Sequence, residues 1–138
     1  MPENATALFE IFKANQNLPG APSWTDQQFA AELKDQESLV ATDENGDPQA
    51  FILYRKTPLA FEISYLATKP AMKRTGYMQG LLELLSIEAR DLDLKIWLEV
   101  HEGNTPAIRL YETFGFKATG KRPKYYADGA SAILYNYG

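Results

Sequence analysis

The segment from Ala60 to Asp91 constrains this chain more than any other stretch. Ala60–Thr68 alternates with the period of a strand, and Pro70 ends it. Gly76–Asp91 then carries Met78, Leu81, Leu82, Leu85 and Ala89 at i, i+3 and i+4 spacing, the stripe of an amphipathic helix. Between them lies a short basic loop containing Lys73, Arg74 and Thr75. N–H groups at a helix start have no intrahelical partners, and the helix dipole adds partial positive charge there. With Lys73 and Arg74 beside it, and Gly76 letting the backbone approach closely, such a turn suits a pyrophosphate. The same residues also describe an ordinary strand-to-helix turn with solvated cations, so the rest of the chain must decide.

Before this segment, Thr6–Asn15 presents Leu8, Phe9, Ile11 and Phe12 as a helical stripe. Leu18-Pro19-Gly20-Ala21-Pro22 is a loop, and Thr25 with Gln28 forms a capping box that opens a second helix through Phe29, Ala30 and Leu33. Leu39–Thr42 and Gln49–Arg55 read as strands around a loop whose Asn45-Gly46 favours a tight hairpin turn. After the central segment come a strand over Lys95–His101 and a helix capped by Asn104 and stopped by Gly115. Phe116–Gly120 and Ala132–Tyr137 are closing strands around a tyrosine-bearing loop. This order predicts an α+β domain, a mixed and mostly antiparallel sheet with helices on both faces.

The 138 residues fit one domain spanning 1–138, and 45% hydrophobic residues suffice for a core. A net charge of −4 argues against nonspecific binding to nucleic acid. With no cysteine there is no disulfide, no thiolate chemistry and no Cys-based metal site, and the single His101 argues against a His-built metal site. The polar start over Met1–Glu10 and the lack of an apolar run of about 20 residues predict no signal peptide and no membrane span, hence the cytoplasm.

Four blocks together carry a family resemblance. Arg74-Thr75-Gly76-Tyr77-Met78, at the start of the helix, resembles the acyl-CoA-binding motif of GNAT acetyltransferases. Leu98-Glu99-Val100 followed by Asn104 is similar to that family's L-E-V-x-x-x-N. Ala107-Ile108-Arg109-Leu110-Tyr111-Glu112-Thr113-Phe114-Gly115-Phe116 resembles A-x-x-L-Y-E-x-x-G-F, and Tyr125-Tyr126-Ala127-Asp128-Gly129 resembles Y-Y-x-D-G. Within the superfamily the pattern is most similar to the ribosomal-protein-alanine N-acetyltransferases (RimI), with Trp24-Thr25 matching a segment near their N-terminus. Two departures stand out. Met78 replaces the second small residue of the CoA motif, and the first residues are too short and polar for the strand with which the family begins, so the sheet is expected to be one strand smaller.

The resemblance implies a GNAT fold that uses acetyl-CoA to acetylate a primary amine. The acceptor would be a protein N-terminal amine, such as that of alanine, or alternatively a small amine; a non-catalytic acyl-CoA-binding module is the other alternative, motivated by Met78. Leu66, Ala67 and Thr68 would hold the thioester and pantetheine arm. Lys73, Arg74, Thr75, Gly76, Tyr77, Met78 and Gln79 would hold the pyrophosphate, and Asn104 would contact the cofactor while capping its helix. Glu99 would be the general base and Tyr111 the acid that protonates the CoA thiolate, with Glu62 as a rival base and His101 as a possible assistant. Alternation places Glu99 on one strand face with Trp97 and His101, opposite Leu98 and Val100. Trp24, Tyr125 and Tyr126 would line the acceptor cleft. Each has a plainer reading: Tyr111 as a core aromatic, Glu62 as a solvent-facing strand residue, and the tyrosine loop as hairpin packing.

Overall fold

The computed structural model describes residues 5–138. The chain runs α1 (Ala5–Ala14), α2 (Asp26–Asp35), β1 (Glu37–Thr42), β2 (Pro48–Lys56), β3 (Ala60–Thr68), a 3₁₀ turn (Pro70–Met72), α3 (Tyr77–Asp91), β4 (Lys95–His101), α4 (Thr105–Phe114), β5 (Lys117–Arg122) and β6 (Ala132–Tyr137). The strands form one sheet in the order β1-β2-β3-β4-β6-β5. Only β3 and β4 pair in parallel; every other neighbouring pair is antiparallel. The expectation about the family's opening strand falls mainly on residues 1–4, outside the described residues; those described supply six strands. Among the described residues no helix is long and apolar enough to cross a membrane.

Helices cover both faces, as the element order implied. On one face α3 lays Leu81, Leu82, Leu85 and Ala89 against Ile52, Phe61, Ile96 and Leu98, and α4 adds Tyr111. Each fully buried Leu contributes roughly 1.5–3 kcal/mol relative to exposure. On the other face α1 and α2 bury Leu8, Ile11, Phe12, Phe29 and Leu33 over Phe51, Leu53 and Ala67. The Thr25–Gln28 capping box is present in both directions, 3.1 Å and 2.8 Å, and starts α2 where the sequence predicts. The β1–β2 turn differs from the expected tight hairpin. Thr42 pairs with Pro48, leaving a five-residue loop, Asp43–Asp47, in which only Gly46 takes positive φ. The Asp43 carboxylate accepts from the N–H groups of Asn45 and Asp47, an interaction that outcompetes the type I′ geometry.

One irregularity prepares the site. Parallel pairing of β3 with β4 runs from Ala60↔Lys95 to Ile63↔Leu98 and stops there, although both strands continue. At the same level Leu53 pairs with Tyr65 and Tyr54 with Ile63, so Ser64 is an extra, bulged residue. Its hydroxyl is held by the buried Gln36 side chain at the end of α2. Bulging bends β3 away from β4, and a wedge opens between their C-terminal ends.

Candidate active site

The wedge and its flanks enclose two cavities that share a wall. The larger, about 470 Å³, is lined by Leu66–Thr68 of β3, by Lys73, Arg74 and Met78 at the start of α3, and by one side of α4 from Asn104 to Thr113. The smaller, about 130 Å³, lies between the Leu18–Pro22 loop, the bulged part of β3, the end of β4 and Tyr126. Asn15, Leu18, Leu66, Asn104 and Tyr111 line both, so the cavities meet at these side chains.

The basic loop behaves as its sequence suggests. Gly76 sits at φ 94° and is the N-cap of α3, without any side-chain cap bond. The first intrahelical bond runs from the Gly80 N–H to the Gly76 carbonyl, so the N–H groups of Tyr77, Met78 and Gln79 precede the ladder. Arg74 also takes positive φ, 67°, a strained choice for a side-chain-bearing residue. Lys73 and Arg74 face the larger cavity, joined from α4 by Arg109, which the sequence reading did not single out. Among the described residues none of these three cations makes a salt bridge. Open donors, free cations and a long trough together suit a polyphosphate with an extended arm. Met78 turns its side chain into the core beneath α3 and reaches the cavity wall at 6% exposure. Thr75, Gly76, Tyr77 and Gln79 do not line either cavity.

Tyr111 is 6% exposed and packs its ring on Phe116 and Tyr135 at 5.7 and 6.1 Å. Burial pushes its phenol above the ordinary tyrosine range, so it stays protonated. Asn104 caps α4 by accepting from the Ala107 N–H at 3.4 Å while lining both cavities. Asn15, a second residue that sequence reasoning missed, is 2% exposed and donates from Nδ2 to the Ile11 and Thr68 carbonyls, at 2.8 and 3.1 Å. It ties the end of α1 to the end of β3, beside the wedge. Its only sequence signal was a polar residue closing an apolar helix.

Glu99 lines the smaller cavity, and its Oε1 accepts from Arg122 Nε at 2.9 Å with the carboxylate side chain 32% exposed. The face argument for it needs correction, because Leu98, Glu99, Val100 and His101 all border this cavity. The cleft is an opening between strand edges, so alternation does not sort cleft from core there. Glu62 lies before the split, paired with Arg55 and Trp97, and borders neither cavity. Trp24 is also away from both cavities. It stacks on Phe12 at 5.4 Å and meets Phe29 and Tyr65, half-buried against the α1–α2 core. Tyr126 lines the smaller cavity, whereas Tyr125 is 54% exposed and packs edge-on against it.

His101 is not positioned as a base. The Gly103 N–H donates to Nδ1 at 2.9 Å, and Nε2 lies 2.7 Å from Asp128 Oδ2. A backbone N–H can only donate, so Nδ1 accepts and the proton sits on Nε2, directed at the carboxylate. Both ring nitrogens are engaged.

The model of the acetyltransferase (GNAT) family matches residues 5–116. The chain belongs to the GNAT acetyltransferase family. As a GNAT acetyltransferase it uses acetyl-CoA as its acetyl donor. It is 30% identical over 105 residues to the [ribosomal protein bS18]-alanine N-acetyltransferase of Escherichia coli, covering 75% of this chain and 70% of that protein. The crystal structure of the ribosomal-protein-S18-alanine N-acetyltransferase from Escherichia coli superposes with a TM-score of 0.82 at 28% identity, over 99% of this chain and 88% of that one. An uncharacterized protein of Mycobacterium leprae is 40% identical over 79 residues, and there the match spans only 21% of the relative's length. The GNAT fold of this chain is therefore shown by sequence and structure alike, and the sheet split between β3 and β4 is where its two cavities arise.

Proposed function

We propose that this GNAT domain transfers the acetyl group of acetyl-CoA, bound along the larger cavity, to the α-amine of a polypeptide N-terminus entering the smaller one. The observation that carries the reading is the position of Tyr111, a buried phenol on the wall common to both cavities. The pyrophosphate would lie over the open N–H groups at the start of α3, with Lys73, Arg74 and Arg109 as counter-charges. The pantetheine arm would run along the unpaired edge of Leu66–Thr68, delivering the thioester near Tyr111.

Attack then proceeds from the smaller cavity. The neutral amine nitrogen bonds to the thioester carbonyl carbon, and the nitrogen's surplus proton passes to Glu99. The C–S bond breaks, and the departing thiolate takes the Tyr111 proton, which solvent later replaces. The dry pocket that disfavours a phenolate equally disfavours a bare thiolate, so donor and acceptor affinities rise together. An α-amine with a reference pKa of about 8 deprotonates far more readily than lysine at about 10.4, which supports an N-terminal acceptor. The name of the Escherichia coli relative supports it too.

Acetylation of peptides differing only in a free or blocked N-terminus, mapped by mass spectrometry, tests the proposal. An α-acetylated product with CoA release supports it. Acetylation only of internal lysine or of small amines such as polyamines sinks the N-terminal acceptor, and binding without CoA release sinks catalysis.

A further inference from the structure

His101 stands where three segments converge. It closes β4 at 7% exposure, and its carbonyl accepts from the Asn104 N–H at 2.9 Å. On one side the Leu18–Pro22 loop passes so tightly that a Cβ at Gly20 would lie 2.7 Å from the His101 Cβ and 3.3 Å from the Tyr126 ring. On another, Gly103 donates to Nδ1 and packs closely, a Cβ there falling 3.2 Å from the imidazole. On the third lies the loop between β5 and β6. Tyr126 packs on the imidazole at a tilt of 38° with ring centroids 4.7 Å apart, and Asp128 Oδ2 receives Nε2–H at 2.7 Å. The other Asp128 oxygen accepts from the Ala130 N–H at 2.9 Å, while Tyr126 and Gly129 close the turn through backbone bonds at 3.0 and 2.9 Å.

The Leu18–Pro22 loop and Tyr126 are the two rims of the smaller cavity, and both rest on this one ring. We infer that His101, latched through its Nε2–H to Asp128, is a positioning residue that sets the width of the acceptor cleft and takes no part in proton transfer. The inference rests on the reading of the smaller cavity as the acceptor site. It makes acceptor affinity depend on a side chain, Asp128, that stands outside the cleft.

Asp128 is the informative position, since it is exposed on the loop and its replacement spares the core. It accepts two bonds with two oxygens. An asparagine has one acceptor oxygen, and the other His101 tautomer cannot compensate because Nδ1 must stay unprotonated for Gly103. Asp128→Asn should therefore behave like Asp128→Ala. Both should raise the acceptor KM of an Ala-initiated peptide about ten-fold, while kcat and the acetyl-CoA KM stay within about two-fold. His101→Gln, whose amide N–H reaches the Nε2 position, should fall between wild type and His101→Ala.

Amide exchange over Tyr126–Ser131 provides a readout independent of any acceptor. It should quicken in the Asp128 variants and nowhere else. Unchanged exchange with unchanged kinetics overturns the latch. A fall in kcat at unchanged acceptor KM overturns it as well, and places the pair in the chemistry. Faster loop exchange with no change in acceptor KM leaves the latch standing as structure and overturns the smaller cavity as the acceptor site.

Discussion

Arg122 holds Glu99 from the edge strand β5, its Nε 2.9 Å from Glu99 Oε1. In the proposed reaction the acceptor amine would share this carboxylate with Arg122, whose side chain is 54% exposed and whose guanidinium lies over the Tyr125 ring. Exposed pairs contribute below about 1 kcal/mol. Arg122→Ala should accordingly leave the melting temperature nearly unchanged and cost less in kcat than Glu99→Gln. A loss equal to that of Glu99→Gln would move Arg122 into the catalytic machinery.

The proposed proton-transfer roles separate by substitution. Glu99→Gln and Tyr111→Phe should each lower kcat roughly 10²–10⁴-fold, the usual span for general acid–base catalysis. Tyr111→Phe keeps the ring against Phe116 and Tyr135, so stability and acetyl-CoA binding should survive. Glu62→Gln should turn over normally, because Glu62 borders neither cavity. A crippled Glu62→Gln beside an active Glu99→Gln would reverse the assignment of the base.

Donor binding should be electrostatic. Acetyl-CoA should raise the melting temperature with concentration, since it binds the folded chain only. Lys73→Ala, Arg74→Ala and Arg109→Ala should each shrink that rise, and added salt should shrink it in the parent protein. Persistence of the full rise in the triple variant would place the phosphates elsewhere.

Two glycines should respond differently to the same change. Gly20→Ala combines φ of 81° with a Cβ 2.7 Å from His101, so it should cost about 1–3 kcal/mol of stability and impair acceptor binding. Gly76→Ala meets nothing within 4 Å at φ of 94°, so its cost, about 1 kcal/mol, is conformational and should appear in acetyl-CoA affinity. Calorimetry with substrate titrations resolves the pair.

The Tyr126–Ser131 loop has a defined acid limit. The Ala130 backbone N–H and then the His101 imidazole hold the Asp128 carboxyl below the usual carboxylate range, and the Ser131 N–H does the same for Glu102. A depressed folded-state pKa means a contribution fully present above the unfolded value, about 4, and lost as pH falls through the lower folded value. The difference in melting temperature between wild type and Asp128→Ala should be constant near neutrality and vanish in stronger acid. A difference that persists there would show that packing, not the carboxylate, holds the loop.

Much of this architecture was legible because the signals were local. The Thr25–Gln28 box, the Asn104 cap, Gly115 at positive φ and the apolar stripe of α3 each act within a few residues. The basic loop was legible for the same reason. Resemblance alone singled out Glu99 and Tyr111, and both line the smaller cavity. What the sequence concealed was long-range. Trp24 reads as a cleft aromatic until Phe12 and Phe29 hold it against the core. Glu62 sits two residues before the bulge at Ser64, and no local pattern announces where β3 leaves β4. Asn15 and Arg109 gain meaning only from the segments folded opposite them.

The parting of β3 from β4 gives this sheet an interior pair of free edges, where most sheets have only outer ones. Amides and carbonyls along such an edge call for a ligand that is itself an extended chain of amides. Pantetheine, with its two amide groups, answers that description. With pantetheine proposed along this edge, a thioester on a shorter, amide-free thiol should be a poor donor, since it offers neither amides to the β3 backbone nor phosphates to Lys73, Arg74 and Arg109.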